Sequence, residues 1–114
     1  MNVEFTLAKK HGAEQVYWRV QETIRAVYPN YYLKEIVDMF CEFHSRAAIL
    51  EDIEAGNTYI LSDNGKLIGT GTAKENHITR VYVLPEFQRR GYGSFIMERL
   101  EEKIKERYDF IDID

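Results

Sequence analysis

The chain has 114 residues, a formal net charge of −4 and one cysteine. That length encloses one small core, so residues 1–114 read as a single domain, and the acidic balance excludes a general nucleic-acid binder. No apolar run reaches the roughly 20 residues that span a bilayer, no secretory leader pattern is present, and a lone cysteine, unable to close an internal disulfide, suits a reducing cytoplasm.

Residues 3–7 alternate apolar and polar, as a half-buried strand does. Lys9, Lys10, His11 and Gly12 make a turn. Ala13, Val16, Val20, Ile24 and Val27 recur at helical spacing, which predicts an amphipathic helix over 13–27. Pro29 ends it, because the residue before a proline is pushed out of the helical region. A second helix follows, with Leu33, Ile36, Val37, Phe40 and Phe43 on one face. Ser45 is the N-cap of a short helix carrying Ala48, Ile49 and Ile53, and Gly56 supplies its C-terminal stop.

Residues 58–61 form a strand, Asp63-Asn64-Gly65 is a tight-turn signal, and residues 67–73 return as the second strand of a hairpin. Gly69 and Gly71 weaken that strand and mark a close backbone approach or a bulge. After a turn at 74–76, the β-branched and aromatic run 78–84 reads as a buried strand, stopped by Pro85. A polar turn leads through Gln88, Arg89 and Arg90 into Gly91-Tyr92-Gly93. From Gly93 the spacing of Ile96, Met97, Leu100 and Ile104 is helical. Residues 110–113 begin one more strand.

Strand, glycine turn and helix in that order make an anion site. The first N–H groups of a helix lack internal acceptors, and the helix dipole is positive at that end. Glycines remove the Cβ atoms that would hold a phosphate away from the main chain. Gln88, Arg89 and Arg90 add donors and charge at the same end. A dinucleotide fingerprint would need a third glycine where Ile96 stands, and a phosphate loop of the Gly-Lys-Ser/Thr kind is absent.

The run Gln88-Arg89-Arg90-Gly91-Tyr92-Gly93, directly after Val81-Tyr82-Val83-Leu84-Pro85, resembles the Gln/Arg-x-x-Gly-x-Gly/Ala signature of the GNAT superfamily, the Gcn5-related N-acetyltransferases. The resemblance is specific from about residue 76 to 100; upstream it rests on position and pattern. It implies an α/β fold with a mixed, largely antiparallel sheet flanked by helices, in the order β-α-α-β-β-β-α-β, short of the usual final helix and strands. Three explanations of that short end stand side by side: a shortened chain, a natural fragment, or completion by a second chain. An open sheet edge would favour a homodimer.

The resemblance further implies acetyl-CoA as cosubstrate, with no metal, and a primary amine on a small molecule or peptide as acceptor. By the same resemblance the strand main chain at Val81, Tyr82 and Val83 would pair with the pantetheine arm. Gln88, Arg89, Arg90, Gly91, Tyr92, Gly93 and Ser94 would hold the pyrophosphate, and Arg89 or Arg90 would reach the other phosphate. An ammonium must lose a proton before it attacks, so a base is needed. The histone-acetylating branch places a glutamate fourteen residues before the first motif glycine; that position is His77 here, with Glu75 two residues earlier. An imidazole titrates near ~6.5, which suits the task. The family's usual acid, a tyrosine on the helix after the fifth strand, lies beyond the end of this sequence.

Tyr17, Trp18, Tyr28, Tyr31 and Tyr32, with Glu35, Asp38 and Glu42, could line an acceptor site or serve as ordinary core and solvated faces. Cys41 reads as a buried thiol, and His11, His44 and His77 are too scattered for a metal site. The expected activity is acetyl-CoA-dependent N-acetyl transfer; the alternative is a non-catalytic CoA-binding or interaction module on the same fold.

Overall fold

The computed structural model describes residues 3–108 and the backbone of residues 112 and 113. Five strands lie side by side in chain order among the described residues: β1 (Val3–Leu7), β2 (Thr58–Asp63), β3 (Lys66–Lys74), β4 (His77–Val83) and β5 (Asp112–Ile113). The first four pair antiparallel, and β5 joins β4 in parallel through His77 with Asp112 and Ile78 with Ile113. Residues 110 and 111 of the expected last strand lie outside the described residues.

The sheet follows from its turns. Asn64 and Gly65 both adopt positive φ, 52° and 82°, the left-handed pair that matches the twist of a two-residue hairpin. The hairpin closes at the expected turn, and β2 runs to Asp63, two residues beyond the 58–61 strand expected. Four helices flank the sheet: α1 (Ala13–Val27), α2 (Lys34–Phe43), α3 (Arg46–Glu54) and α4 (Tyr92–Lys105). The fold is the expected mixed, largely antiparallel sheet with helices on its faces. The eight-element order gains one member, α3, the short helix that Ser45 announces.

That helix is capped at both ends as its sequence predicts. Ser45 Oγ accepts from the Ala48 N–H at 3.2 Å. At the other end Gly56 sits at φ 77°, its N–H bonds Ile53 O, and the Asn57 N–H reaches back to Asp52 O at 2.9 Å. Those two reversed bonds satisfy carbonyls that would otherwise end unpaired. The expectation for α2 needs correction. Val37 and Cys41 are its buried residues, Ile36 and Phe40 are half-buried, and Leu33 and Phe43 stand exposed. Leu33 is the N-cap and Phe43 the last turn, so neither lies over the sheet.

The sheet separates two cores. Val16, Val20 and Ile24 of α1, Val37 and Cys41 of α2, and Ile49 and Ile53 of α3 cover one face with Tyr82. On the other, α4 lays Ile96, Leu100 and Ile104 over Leu61, Ile68 and Ile78. The approach of α4 to β3 is very close. A Cβ at Gly71 would lie 2.6 Å from Ile96 Cγ2, and one at Gly69 would lie 2.6 Å from Tyr82 O. The two glycines thus mark a close approach, and a register shift between Leu61 and Ser62 puts a bulge beside them as well.

A second irregularity shapes β4. Ala73 pairs with Ile78 and Thr72 pairs with Arg80, which leaves Thr79 as an extra residue. The side-chain alternation slips there. Ile78, Val81 and Val83 pack with the α4 core, whereas Arg80 and Tyr82 face α1, α2 and α3.

Candidate active site

The strand–turn–helix unit is built as its sequence predicts, and its details set what it can hold. Leu84 continues the ladder past β4 by donating to Ile68 O at 2.9 Å. Pro85–Phe87 makes a single 3-10 turn. Gln88 Nε2 then donates to Val83 O at 3.0 Å, tying the turn to the strand end. This bond gives the Gln88 side-chain amide a bracing role and leaves its second Nε2 hydrogen outside that bond.

Next the main chain alternates in hand. Arg89 and Gly91 take positive φ, 64° and 86°, while Arg90 between them does not. Such alternation turns successive N–H groups toward one concavity, a shape that receives anions. Gly91 is the N-cap of α4, no side chain caps that helix among the described residues, and its first bond runs from the Phe95 N–H to Gly91 O at 3.1 Å. The helix dipole adds positive potential at this mouth. Arg89, Arg90, Gly91 and Ser94 are exposed there, with Tyr92 and Gly93 half-buried. The Phe87 ring stands edge-on to Tyr92 and carries two cations near it, Arg90 at 5.8 Å and Lys66 at 5.3 Å from the centroid.

The glycines fit a close main-chain ligand. A Cβ at Gly91 would meet nothing within 4 Å, but its φ of 86° disfavours any other residue. Gly93 has no such φ, and its nearest obstacle is Val83 Cγ2 at 3.9 Å. The protein's own atoms therefore leave room at Gly93 for a side chain the sequence withholds, inside the first turn of a helix, where glycine is unfavourable.

Along β4 the three predicted strand positions divide. Val81 and Val83 are half-buried on the α4 side; the Tyr82 side chain is buried on the other, its hydroxyl 3.4 Å from that of Tyr28. Burial and the bond to Tyr28 push the Tyr82 phenol far above its ordinary range, which makes that hydroxyl a poor acid. Among the described residues the pairing with β5 covers His77 and Ile78. No strand among them pairs with residues 79–83 on that edge.

His77, half-buried, opens β4, and six strand steps place it roughly 20 Å from Val83. Glu75 is exposed in the β3–β4 turn at φ 55°, where it helps line a cleft of about 220 Å³ with Lys103, Arg107 and Tyr108 near the C-terminal end of α4. The two lie on successive elements but face different surroundings.

Behind β4 sits a polar network that sequence reasoning missed. Arg80, 5% exposed, donates from Nε to His44 Nδ1 at 2.9 Å, and from one terminal nitrogen to Asp52 at 3.0 Å and Thr72 Oγ1 at 3.2 Å. The Thr58 and Thr72 hydroxyls bond at 2.9 Å, and Gln21 Nε2 donates to the carbonyls of Cys41 and His44 at 2.9 and 3.0 Å. Burial, then the Arg80 charge, lowers the His44 pKa to about 4, so its imidazole is neutral at neutral pH. The available signal was an arginine in the middle of an apolar strand, between Ile78 and Val81.

The candidate acceptor residues scatter. Tyr17 and Trp18 meet edge-on at 5.2 Å and hold Arg46 over their faces, and Trp18, Tyr31 and Tyr32 are exposed. Tyr28 packs edge-on against Phe40 at 5.0 Å, within the core. Asp38 pairs with Lys34, while Glu35 and Glu42 are exposed. Cys41 is buried as expected, which pushes its thiol pKa up. Among the described residues no group of three metal-ligating side chains assembles, and no helix is long and apolar enough to cross a membrane.

A model of the acetyltransferase (GNAT) family matches residues 17–113. No curated protein matches the chain in sequence. Similar solved structures include the PaiA N-acetyltransferase of Thermoplasma acidophilum in complex with coenzyme A, at 19% identity and a TM-score of 0.76 over 94% of this chain and 74% of that one. A GCN5-related N-acetyltransferase of Rhodopseudomonas palustris gives 20% identity and a TM-score of 0.76 over 93% of this chain and 66% of that one. The aminoglycoside N-acetyltransferase AAC(6')-Iy in complex with CoA gives 16% and 0.65 over 99% of this chain and 76% of that one. At these identities the likeness establishes the fold.

Proposed function

The chain belongs to the acetyltransferase (GNAT) family and is by membership an N-acetyltransferase, and we propose that it carries acetyl from acetyl-CoA to the primary amine of a small-molecule acceptor. One observation carries the assignment of the cofactor end: a helix mouth with no side-chain cap, Gly91 left-handed at its N-cap and open space over Gly93. In this reading the main chain from Gln88 to Ser94 receives the pyrophosphate at the positive end of α4. Arg89 and Arg90 stand exposed beside it to neutralise phosphate charge. The main chain of β4 at Val81, Tyr82 and Val83 pairs with the pantetheine arm.

Acetyl-CoA supplies an activated acyl group as a thioester. The protein's share is to align it, to exclude water and to take a proton from the acceptor ammonium. We assign the base to His77 before Glu75. His77 is half-buried on β4 itself, whereas Glu75 is exposed and turned toward the far end of α4. A small-molecule amine as acceptor is supported by the aminoglycoside enzyme among the similar structures. A cytoplasmic place for the protein belongs to the same proposal and rests on its single cysteine.

The deciding experiment measures acetyl-CoA turnover against a panel of amines, with coenzyme A binding by calorimetry alongside. Binding with turnover is the expected result. Binding without turnover on any amine or peptide would leave a non-catalytic CoA module, and no binding at all would overturn the assignment. His77→Ala should lower kcat and abolish the acid limb of the pH profile, whereas Glu75→Ala should leave that limb in place; the reverse outcome would move the base to Glu75.

A further inference from the structure

We propose that Arg80 is a positioning residue: clamped by His44, Asp52 and Thr72, its guanidinium fixes the bulge in β4 and so sets the main-chain edge at residues 79–83. The role of that edge in aligning acetyl-CoA rests on the function proposed above; the clamp itself rests on the geometry alone.

Three observations converge on this residue. The extra residue of the bulge, Thr79, immediately precedes Arg80. The bulge also follows directly on the segment that pairs with β5, His77 and Ile78. A one-residue slip of β4 would turn Arg80 to the opposite face and away from all three partners, so the clamp holds the bulge in its register. Its three partners come from three elements: His44 from the end of α2, Asp52 from α3 and Thr72 from β3.

Energetics argue against a purely stabilising role. The Arg80 side chain is 4% exposed and that of Asp52 is 15% exposed, so both charges are largely removed from water. Replacing such a pair by well-packed apolar residues is often neutral or stabilising. What an apolar replacement cannot reproduce is direction. The guanidinium delivers Nε to one helix and a terminal nitrogen to another in a fixed fork, and lysine offers only a point charge on a flexible stem.

The test is the double variant Arg80→Met with Asp52→Leu, with Arg80→Lys as a second variant that keeps a cation beside Asp52. In the double variant the thermal midpoint should hold or rise and calorimetric coenzyme A affinity should stay near wild type, because the pyrophosphate site is at the other end of β4. The kcat should fall between about ten- and a hundredfold with KM for acetyl-CoA little changed, the signature of a displaced reacting group. Amide hydrogen exchange at residues 79–83 should speed up by about tenfold or more while α4 keeps its protection. Arg80→Lys should shift the same two readouts in the same direction. Unchanged kcat together with unchanged exchange in either folded variant would overturn the proposal. A wild-type protein that turns over no amine would refute the functional reading, and exchange alone would then decide the clamp: faster exchange upholds it, and equal exchange overturns it.

Discussion

Two pairs of glycines carry opposite obligations in this chain. At Gly69 and Gly71 a side chain is forbidden by the protein itself: an added Cβ at Gly71 would stand 2.6 Å from Ile96 Cγ2 of α4, and one at Gly69 would stand 2.6 Å from Tyr82 O of the neighbouring β4 and 3.0 Å from Ile96 Cδ1. At Gly91 and Gly93 nothing of the protein comes closer than 3.9 Å to such an atom. The first pair serves packing. The second leaves room at a helix mouth, and room that the fold does not require is a sign of something outside the fold. Composition alone cannot separate these cases, because the residue is the same in both.

The comparison can be broken most sharply by filling the packed seam. Gly69→Ala with Gly71→Ala should cost on the order of 4 kcal/mol, since each adds about 1–3 kcal/mol of overpacking between elements that cannot part. Thermal or urea unfolding measures the loss. Should the double variant remain as stable as the parent, the close approach of α4 to β3 would not be real.

The polar network on the opposite face gives the next largest effect, and it depends on pH. His44 titrates at about 4 in the folded chain against 6.5 when unfolded. Between those values the unfolded state binds more protons, so folding stability contributed by this group is complete above pH 6.5 and is lost as pH falls toward 4. The loss should amount to about 2–3 kcal/mol in urea unfolding compared at pH 7.5 and pH 4. His44→Asn should flatten that part of the profile; an unchanged slope would place the titration elsewhere.

Gly91→Ala should destabilise by about 1–2 kcal/mol, because its φ of 86° belongs to the left-handed region. Coenzyme A affinity should fall with it. Gly93→Ala is the most discriminating variant and the smallest in stability. It should raise stability by up to about 1 kcal/mol, since alanine is the better helix former and nothing obstructs its Cβ. It should nonetheless weaken coenzyme A binding in calorimetry. A variant both more stable and equally tight would remove the ligand from that mouth.

Much of this architecture was legible in the chain because it depends on local chemistry. The 3.6-residue spacing over 13–27 gave α1 to the residue, Ser45 and Gly56 bounded α3, and Asn64-Gly65 fixed the β2–β3 turn. The Gln88–Gly93 run announced the helix mouth for the same reason: backbone conformation and unpaired N–H groups are set by residues within a few positions. The exposed ends of α2 escaped because apolar spacing tells which residues share a face, not how much of that face a neighbouring sheet covers. Leu33 and Phe43 show the difference.

Sequence by itself determined the order of elements, their caps and the glycine turn at the mouth of α4, all short-range properties of the backbone. Only the tertiary structure decided that Gly69 and Gly71 serve a close helix approach and that one extra residue at Thr79 slips the alternation of β4. It alone brought Arg80, His44, Asp52 and Thr72 together from four elements. Such contacts join residues up to 36 positions apart; their partners are chosen by how layers pack, and no pattern confined to one segment encodes that choice.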